Sequence, residues 1–195
     1  MFQQLIKSLA IASLASQAAA LDNSLYAEAA PDDAVFVRFL GFDNGAAPEF
    51  GGKSFVVGEE DTTAYIPVSS AMLQDVPAGL FATVFRGEDG QNTTIVEGPR
   101  DVTSKVHLFL VNASDRALDL RLADNSATVI DAVQTGSAAQ RGVNPVAVTL
   151  GVFEDGTDTP LARFDVTLKR GQNISFIADL TGIRMIENRF GAVAH

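Results

Sequence analysis

The chain has no cysteine and no tryptophan among its 195 residues, and it has only two histidines, His107 and His195. The absence of cysteine excludes disulfide bonds, thiol catalysis and cysteine-ligated metals. Histidine is the most common general base and metal ligand, so the usual catalytic groups are nearly absent too. The missing tryptophan argues against a sugar-binding platform of indole rings. The sequence therefore predicts no catalytic residue, no metal site and no cofactor.

Positive charge is also scarce, because 14 Lys and Arg residues stand against 24 Asp and Glu, a net charge of −10. Such a surface repels phosphate backbones and anionic membranes, which disfavours nucleic-acid binding. Hydrophobic residues make up 47% of the chain, enough to bury a core. No segment approaches the roughly 20 apolar residues of a membrane span, so we expect no direct membrane insertion.

The first 20 residues have the pattern of a secretory signal peptide. Lys7 supplies a positive charge, Leu9 to Ala15 forms a short apolar stretch, and Ala18 to Ala20 offers small residues at a cleavage site. The alternative is an N-terminal amphipathic helix. Cleavage would leave residues 21–195, and we expect an exported protein held together by its core alone.

The rest of the sequence is typical of β-strands separated by turns. Ala34 to Leu40 is a dense run of β-forming residues with a single charge, Arg38. In Ala117 to Leu122, leucine alternates with polar residues, which is the period of a half-buried strand. Asp155-Gly156 is typical of a tight hairpin turn. Further strands are predicted at 53–57, 64–68, 80–85, 93–96, 106–111, 128–130, 146–153, 162–168 and 174–178.

The stretch from Glu97 to Asp101 interrupts the strand pattern and divides the chain into two halves. Each half starts with an apolar strand, and short helical turns are expected at Ser70 to Val76 and Ser137 to Arg141. Strands at intervals of about 8–12 residues favour sandwiches over alternating helices and strands. We predict an all-β fold: a signal peptide (1–20) and two tandem small Ig-like β-sandwich domains, 21–98 and 102–195. One larger domain is the alternative.

Motifs that bind phosphate or activate a nucleophile are not found. Gly51 to Ser54 resembles the end of a P-loop, but Ala47 occupies the position of the first glycine, and a strand should follow. No Gly-x-Ser-x-Gly motif occurs. His107, inside an apolar strand, is interpreted as a half-buried strand histidine, and His195 as part of a frayed terminus. Carboxylate pairs for sugar hydrolysis cannot be chosen among 24 acids.

Several motifs occur in an order that resembles a known family. In the first half these are Leu25-Tyr26, Pro31 and Phe36-Val37-Arg38, and in the second half Val106 to Ser114, Leu118-x-Leu120, Asn144-Pro145-Val146 through Asp155-Gly156, and Val166 to Gly171. Together they resemble the alginate biosynthesis protein AlgF family from about Leu25 to Ile177. Gly45 to Ser54 and the tail after Gly182 carry no resemblance.

This resemblance implies a periplasmic, non-catalytic adaptor for O-acetylation of alginate or a related exopolysaccharide. It also implies two kinds of partner, periplasmic polysaccharide O-acetyltransferases and the membrane-bound O-acyltransferase. The acidic surface would not attract an anionic polymer, which favours protein partners. The alternatives are an exported carbohydrate-active enzyme and a carbohydrate-binding β-sandwich.

Two residues are candidate partner contacts. Arg38, the lone charge of its strand, either anchors an interface, as arginine often does, or pairs with an acid inside the protein. Tyr26, just after the predicted signal peptide, packs either on the first domain or on a partner.

Overall fold

The computed structural model describes residues 28–58, 63–87, 89–100, 102 and 104–195. Within them the chain forms fourteen β-strands and one short 3-10 helix. The predicted all-β class is therefore confirmed. The predicted signal peptide and Tyr26 lie outside the described residues. In the part of the chain that the structure describes, no helix has the length and apolar character to cross a bilayer.

The first half forms a four-stranded sheet, named sheet I, and a small hairpin. Its strands are β1 (Ala34–Leu40), β2 (Glu49–Phe50), β3 (Lys53–Ser54), β4 (Ile66–Ser69), β5 (Phe81–Arg86) and β6 (Asn92–Glu97). Sheet I has the order β4-β1-β5-β6, in which only β1 and β5 are parallel. β2 and β3 form the hairpin, which turns at Gly51 and Gly52 with φ angles of 56° and 73°. Lys53 thus begins a strand, as predicted when the P-loop was rejected.

The second half forms two four-stranded sheets. Its strands are β7 (Val106–Asn112), β8 (Leu118–Leu122), β9 (Thr128–Val133), β10 (Ser137–Val143), β11 (Ala147–Glu154), β12 (Pro160–Thr167), β13 (Asn173–Asp179) and β14 (Gly182–Glu187). Sheet II has the order β10-β7-β13-β14, and sheet III has the order β12-β11-β8-β9. The hairpin turn at Asp155-Gly156 is confirmed, because it joins the antiparallel strands β11 and β12.

The sheets stack so that sheet II is covered on both faces. One face, with Leu108 and Phe176, packs on sheet III, and Leu118 and Leu120 of β8 point into the same core. The other face of sheet II packs on sheet I through a cluster of seven buried residues: Leu40, Phe85, Ile95, Phe109, Val111, Ile177 and Ile186. The strands thus form two sandwich-like units, and β7 is apolar on both faces because neither face meets water.

One local prediction differs from the structure. The helical turn expected at Ser137 to Arg141 is wrong, because these residues belong to β10 and pair with β7 along their whole length. Strands β2 and β14 were not predicted. The helical turn expected at Ser70 to Val76 is confirmed as a 3-10 helix, Ser70–Met72, whose first turn is capped by the Ser69 hydroxyl.

The last residues return to the first half of the molecule. The N–H of Tyr65 donates to the carbonyl of Arg189, and the N–H of Ala194 donates to the carbonyl of Pro67, so the tail lies along the outer edge of β4. The predicted domain limits, 21–98 and 102–195, stay a prediction, and residues 189–195 contact the first half.

Candidate functional site

A cluster of charged and polar side chains lies buried between sheets I and II. The alternation of strands β1, β5 and β6 places Arg38, Thr83 and Glu97 on the face of sheet I that meets sheet II. All three are buried, and Arg38 is 0% exposed. Such groups are costly to bury unless every charge is paired and hydrogen-bonded.

Glu97, the last residue of β6, accepts hydrogen bonds from all sides of this cluster. The Tyr65 hydroxyl lies 2.7 Å from each carboxylate oxygen, and the Thr83 hydroxyl donates to Oε1 over 2.6 Å. Arg38 Nη2 lies 3.3 Å from Oε1, and Arg100 Nη2 lies 2.9 Å from Oε2. Both oxygens are therefore saturated by donors from the protein itself.

Arg38 connects the two halves of the molecule. Its Nε donates to the Thr83 hydroxyl over 3.1 Å, within sheet I. Its Nη1 donates to Asn188 Oδ1 over 3.0 Å, and its Nη2 lies 3.5 Å from the Ser175 hydroxyl of β13. The guanidinium carbon lies 4.3 Å from the centroid of the Tyr65 ring. The side chain thus forms the internal pairing that was one of its two predicted roles.

Arg100 follows β6 in the connection to the second half and lies between aromatic rings. Its guanidinium carbon is 3.7 Å from the Phe81 centroid on sheet I and 4.1 Å from the Phe109 centroid on sheet II. Burial lowers the pKa of Arg100, and burial raises the pKa of the Tyr65 phenol. The neutral phenol can therefore donate a hydrogen bond to Glu97, and the cluster lies between the two sheets.

The two histidines have different surroundings. His107 is buried, its Nε2 lies 3.0 Å from the carbonyl oxygen of Val102, and its ring stacks on Phe109. His195 is exposed, and its Nε2 lies 3.0 Å from Glu28 Oε2. In the described part of the chain, neither ring forms a hydrogen bond with a serine or threonine hydroxyl. Those residues also contain no group of three metal-ligating side chains.

The structure brings one of the two candidate contact residues into this cluster and leaves the other outside its description. Arg38 is at the centre, while Tyr26 lies in the undescribed N-terminal segment. The other members of the cluster were missed, since they are far apart in sequence; Asn188 is 150 positions from Arg38. The one feature of the sequence that pointed to this cluster was Arg38, the single charged residue in the apolar strand β1.

A groove of about 690 Å³ opens at one end of the second half. Its walls include Leu118 and Ile183, while Leu161 and Leu180 remain 47% and 57% exposed at its rim. Exposed apolar side chains grouped around a concave surface are typical of sites that bind a partner.

The chain is similar to curated proteins of known name. It is 27% identical over 192 residues to the alginate biosynthesis protein AlgF of Pseudomonas fluorescens, covering 87% of this chain and 85% of that protein. The AlgF of Azotobacter vinelandii is 27% identical over 172 residues (79% and 76% covered). The AlgF of Pseudomonas aeruginosa is 26% identical over 183 residues (85% and 81%).

A solved structure of the C-terminal domain of AlgF from P. aeruginosa is 28% identical and has a TM-score of 0.35, covering 43% of this chain and 96% of that domain. The family described as "Alginate O-acetyl transferase AlgF" matches residues 6–175. That match spans most of the sequence, and it agrees with the resemblance found in the motifs. The chain therefore belongs to the alginate O-acetyl transferase AlgF family of alginate biosynthesis proteins.

Proposed function

We propose that this protein is a non-catalytic periplasmic adaptor for O-acetylation of alginate or a related exopolysaccharide, and that it binds the acetyltransferase components of the pathway. The family description and the names of the relatives support the pathway. The signal-peptide pattern of the first 20 residues supports export.

The surroundings of the two histidines carry the non-catalytic part of the proposal. Acyl transfer through a serine needs a base within hydrogen-bond reach of the hydroxyl. His107 lies in the buried strand β7, and its Nε2 faces the backbone carbonyl of Val102. His195 faces the Glu28 carboxylate. The charged residues around Arg38 are likewise used inside the protein, between sheets I and II.

The stacked sheets and the surface of the second half support the adaptor role. The hydrogen bonds of Arg38 to Asn188 and Ser175, together with the seven-residue apolar cluster, connect the two halves. A partner bound to one half would therefore be held in a fixed position relative to the other half. The groove rimmed by Leu161 and Leu180 offers an apolar contact. The net charge of −10 disfavours direct capture of an anionic polymer.

The test is complementation of a deletion strain. The variant His107→Gln/His195→Gln lacks every imidazole of the chain, and glutamine can still donate to the Val102 carbonyl. We expect it to restore the acetyl content of the polymer and to retain capture of the acetyltransferases. Purified protein should not turn over an acetyl ester. Loss of acetylation by a folded double variant, or turnover that the variant abolishes, would replace the adaptor with an exported enzyme.

A second experiment tests whether the groove rimmed by Leu161 and Leu180 binds the acetyltransferases. Leu161→Asp/Leu180→Asp should weaken capture of the acetyltransferases, because carboxylates at an apolar contact must be desolvated. Val96→Asp/Val146→Asp, at two exposed valines elsewhere, is the matched control and should leave capture unchanged. Equal capture by both variants would exclude this groove as the contact.

A further inference from the structure

Strand β12 forms one edge of sheet III, and its outer edge pairs with no strand in the part of the chain that the structure describes. The outer edge of β4, by contrast, is covered by the C-terminal tail. An uncovered edge presents free N–H and C=O groups, which can pair with a further strand. The edge of β12 is therefore a candidate for pairing with another chain.

The register between β11 and β12 shows which backbone groups of β12 face outwards. The N–H of Leu168 donates to the carbonyl of Val146 over 2.9 Å. Hydrogen-bonded and non-hydrogen-bonded pairs alternate in an antiparallel ladder, so the backbone of Phe164 also bonds with β11. The backbone groups of Arg163 and Asp165 then face the outer edge, and within the described residues no backbone hydrogen bond reaches them from that side.

The side chains of this edge carry opposite charges two positions apart. Arg163 and Asp165 are exposed and lie on the same face of β12. Arg163 forms no ion pair within the described residues, and Asp165 accepts a hydrogen bond from the Thr149 hydroxyl over 2.6 Å. Phe164 points to the opposite face, where it contacts the ring of Phe176 and is only partly buried. Both the charges and the ring can thus gain contacts from a further strand.

We infer that β12 pairs antiparallel with β12 of a second copy of this chain, in a register centred on Phe164. Arg163 of each copy then lies opposite Asp165 of the other, which gives an ion pair and backbone hydrogen bonds on each side of the two-fold axis. The two Phe164 residues meet at the axis as a non-hydrogen-bonded pair, in which the side chains are closest. The contact is isologous, like that of most symmetric dimers.

The charge pattern favours a second copy over a foreign strand, and this register over its neighbours. A foreign strand would have to supply an acid and a base in the matching order, whereas β12 supplies both to itself. Moving the axis to Arg163 or to Asp165 would place like charges opposite each other, which is destabilising. So short a pairing buries little surface, and we expect a weak, reversible dimer.

This inference goes beyond the adaptor proposal and does not depend on it. The paired segment is 162–166, so it leaves out Leu161, which lies at the rim of the groove described above. The register between β11 and β12 shifts just before this segment, between the partners of Val152 and Phe153. Dimerisation and capture of the acetyltransferases can therefore be measured and can fail separately.

Sedimentation of the full chain, expressed with its own leader, tests the dimer. We expect a monomer–dimer equilibrium between micromolar and millimolar concentrations. Arg163→Glu and Asp165→Arg should each raise the dissociation constant about tenfold, because like charges then face each other on both sides of the axis. An equimolar mixture of these two variants should associate again, since their charges are complementary. Arg141→Glu, at an exposed arginine of the edge strand β10, is the matched control and should dimerise like the unmodified protein.

A single cysteine tests the register, because the chain has no cysteine of its own. Phe164→Cys should form a disulfide between two copies under mild oxidation, as the Cα atoms of a non-hydrogen-bonded pair lie about 4.5 Å apart. Thr167→Cys, at an exposed residue of the same strand, is the control. In the proposed register the two copies of this residue lie about 20 Å apart, which is too far for a disulfide.

Three results would overturn the inference. A monomer at every concentration would mean that the edge of β12 stays unpaired. Dimerisation that neither charge reversal weakens would assign the contact to another surface. Cross-linking of Thr167→Cys as fast as that of Phe164→Cys would exclude a register centred on Phe164.

Discussion

Sheets I and II are built with the same connectivity, although one belongs to the first half of the chain and the other to the second. In each, the first strand (β1 or β7) has an antiparallel neighbour (β4 or β10) on one side and a parallel neighbour (β5 or β13) on the other. A last antiparallel strand, β6 or β14, completes the sheet. The two halves therefore contain one sheet each of the same topology.

The halves differ in what covers that sheet. In the second half, hairpins β8–β9 and β11–β12 form sheet III and enclose fourteen buried apolar residues. In the first half, the described residues of the connection between β1 and β4 form only the short β2–β3 hairpin, and the connection between β4 and β5 forms no hairpin that corresponds to β11–β12. Nine buried residues form its core in the described part of the chain, and Ala194 of the tail packs against them.

This difference indicates that the first half depends on the second. One face of its sheet is covered by a small layer, and the other face packs on sheet II through the apolar cluster and the contact of Arg38 with Ser175. A small unit buries too little apolar surface to fold securely alone. Separating the halves, or weakening the contacts between them, should therefore destabilise the first half.

The largest effect should come from separating the halves. A fragment of residues 104–187 keeps sheets II and III with their core and should fold, with dispersed amide signals by NMR. A fragment of residues 28–100 loses the tail and the cover of sheet II, and should remain unfolded by circular dichroism. An independently folded 28–100 fragment would show that the smaller core is sufficient.

Glu97→Ala should be the most destabilising single change in the interface. It leaves two arginines buried without their carboxylate, and breaking a buried ion pair in this way costs about 3–5 kcal/mol. Urea unfolding measures the loss. Glu154→Ala removes an exposed partner of Arg116 and should cause no measurable change.

The triple variant Arg38→Met/Glu97→Leu/Arg100→Met tests whether the unpaired charges cause this loss of stability. Replacing a whole buried ionic group with apolar side chains is often neutral, so this variant should be more stable than Glu97→Ala. If the triple variant is as unstable as the single one, the hydrogen bonds to Thr83, Ser175 and Asn188 matter more than the unpaired charges.

Deletion of residues 189–195 should destabilise the first half less than Glu97→Ala does. The tail makes three backbone hydrogen bonds with Tyr65 and Pro67, and at about 0.5–1 kcal/mol each their loss amounts to ~1.5–3 kcal/mol. Hydrogen exchange should accelerate in β4 and remain unchanged in β10, its counterpart in sheet II. Equal acceleration in both strands would argue against a local role of the tail.

The smallest expected effect is a loss of stability with rising pH, which arises from Tyr65 and begins only in alkaline solution. Because burial raises the pKa of Tyr65 above its usual value of 10.0, the unfolded chain ionises first. The stabilising contribution is thus complete below pH 10 and is lost as the pH rises towards the folded pKa. Urea midpoints should fall above pH 10, and Tyr65→Phe should have a flatter profile. Identical slopes would contradict a neutral, buried phenol.

Much of the second half was predictable from local patterns. Leucine at every second position of β8 placed its core face correctly, and Asp155-Gly156 identified a hairpin because glycine tolerates a positive φ. β10 was missed because Ser137 to Arg141 is small and polar, with little alternation. It is a strand because β7 offers it a complete set of hydrogen-bond partners.

The candidate site was less predictable than the fold. Arg38 stood out as the one charge in an apolar strand, and pairing with an acid was one of its two interpretations. Nothing local identified Glu97 as that acid, because a strand-ending glutamate resembles any solvated turn residue. Asp119 shows the same limit: alternation placed it opposite the leucines of β8, yet it is buried and accepts a hydrogen bond from the N–H of Ala132.

Short-range periodicity, turn-forming residues and composition were enough to predict the β class, the spacing of most strands and turns, and the absence of a disulfide. The ordered motifs were also enough to identify the family. In contrast, the covering of sheet II on both faces and the meeting of Arg38, Glu97 and Arg100 between the halves depend on tertiary contacts. The contacts of Arg38 extend to Asn188, 150 positions away, and their stability depends on burial, which no local pattern encodes.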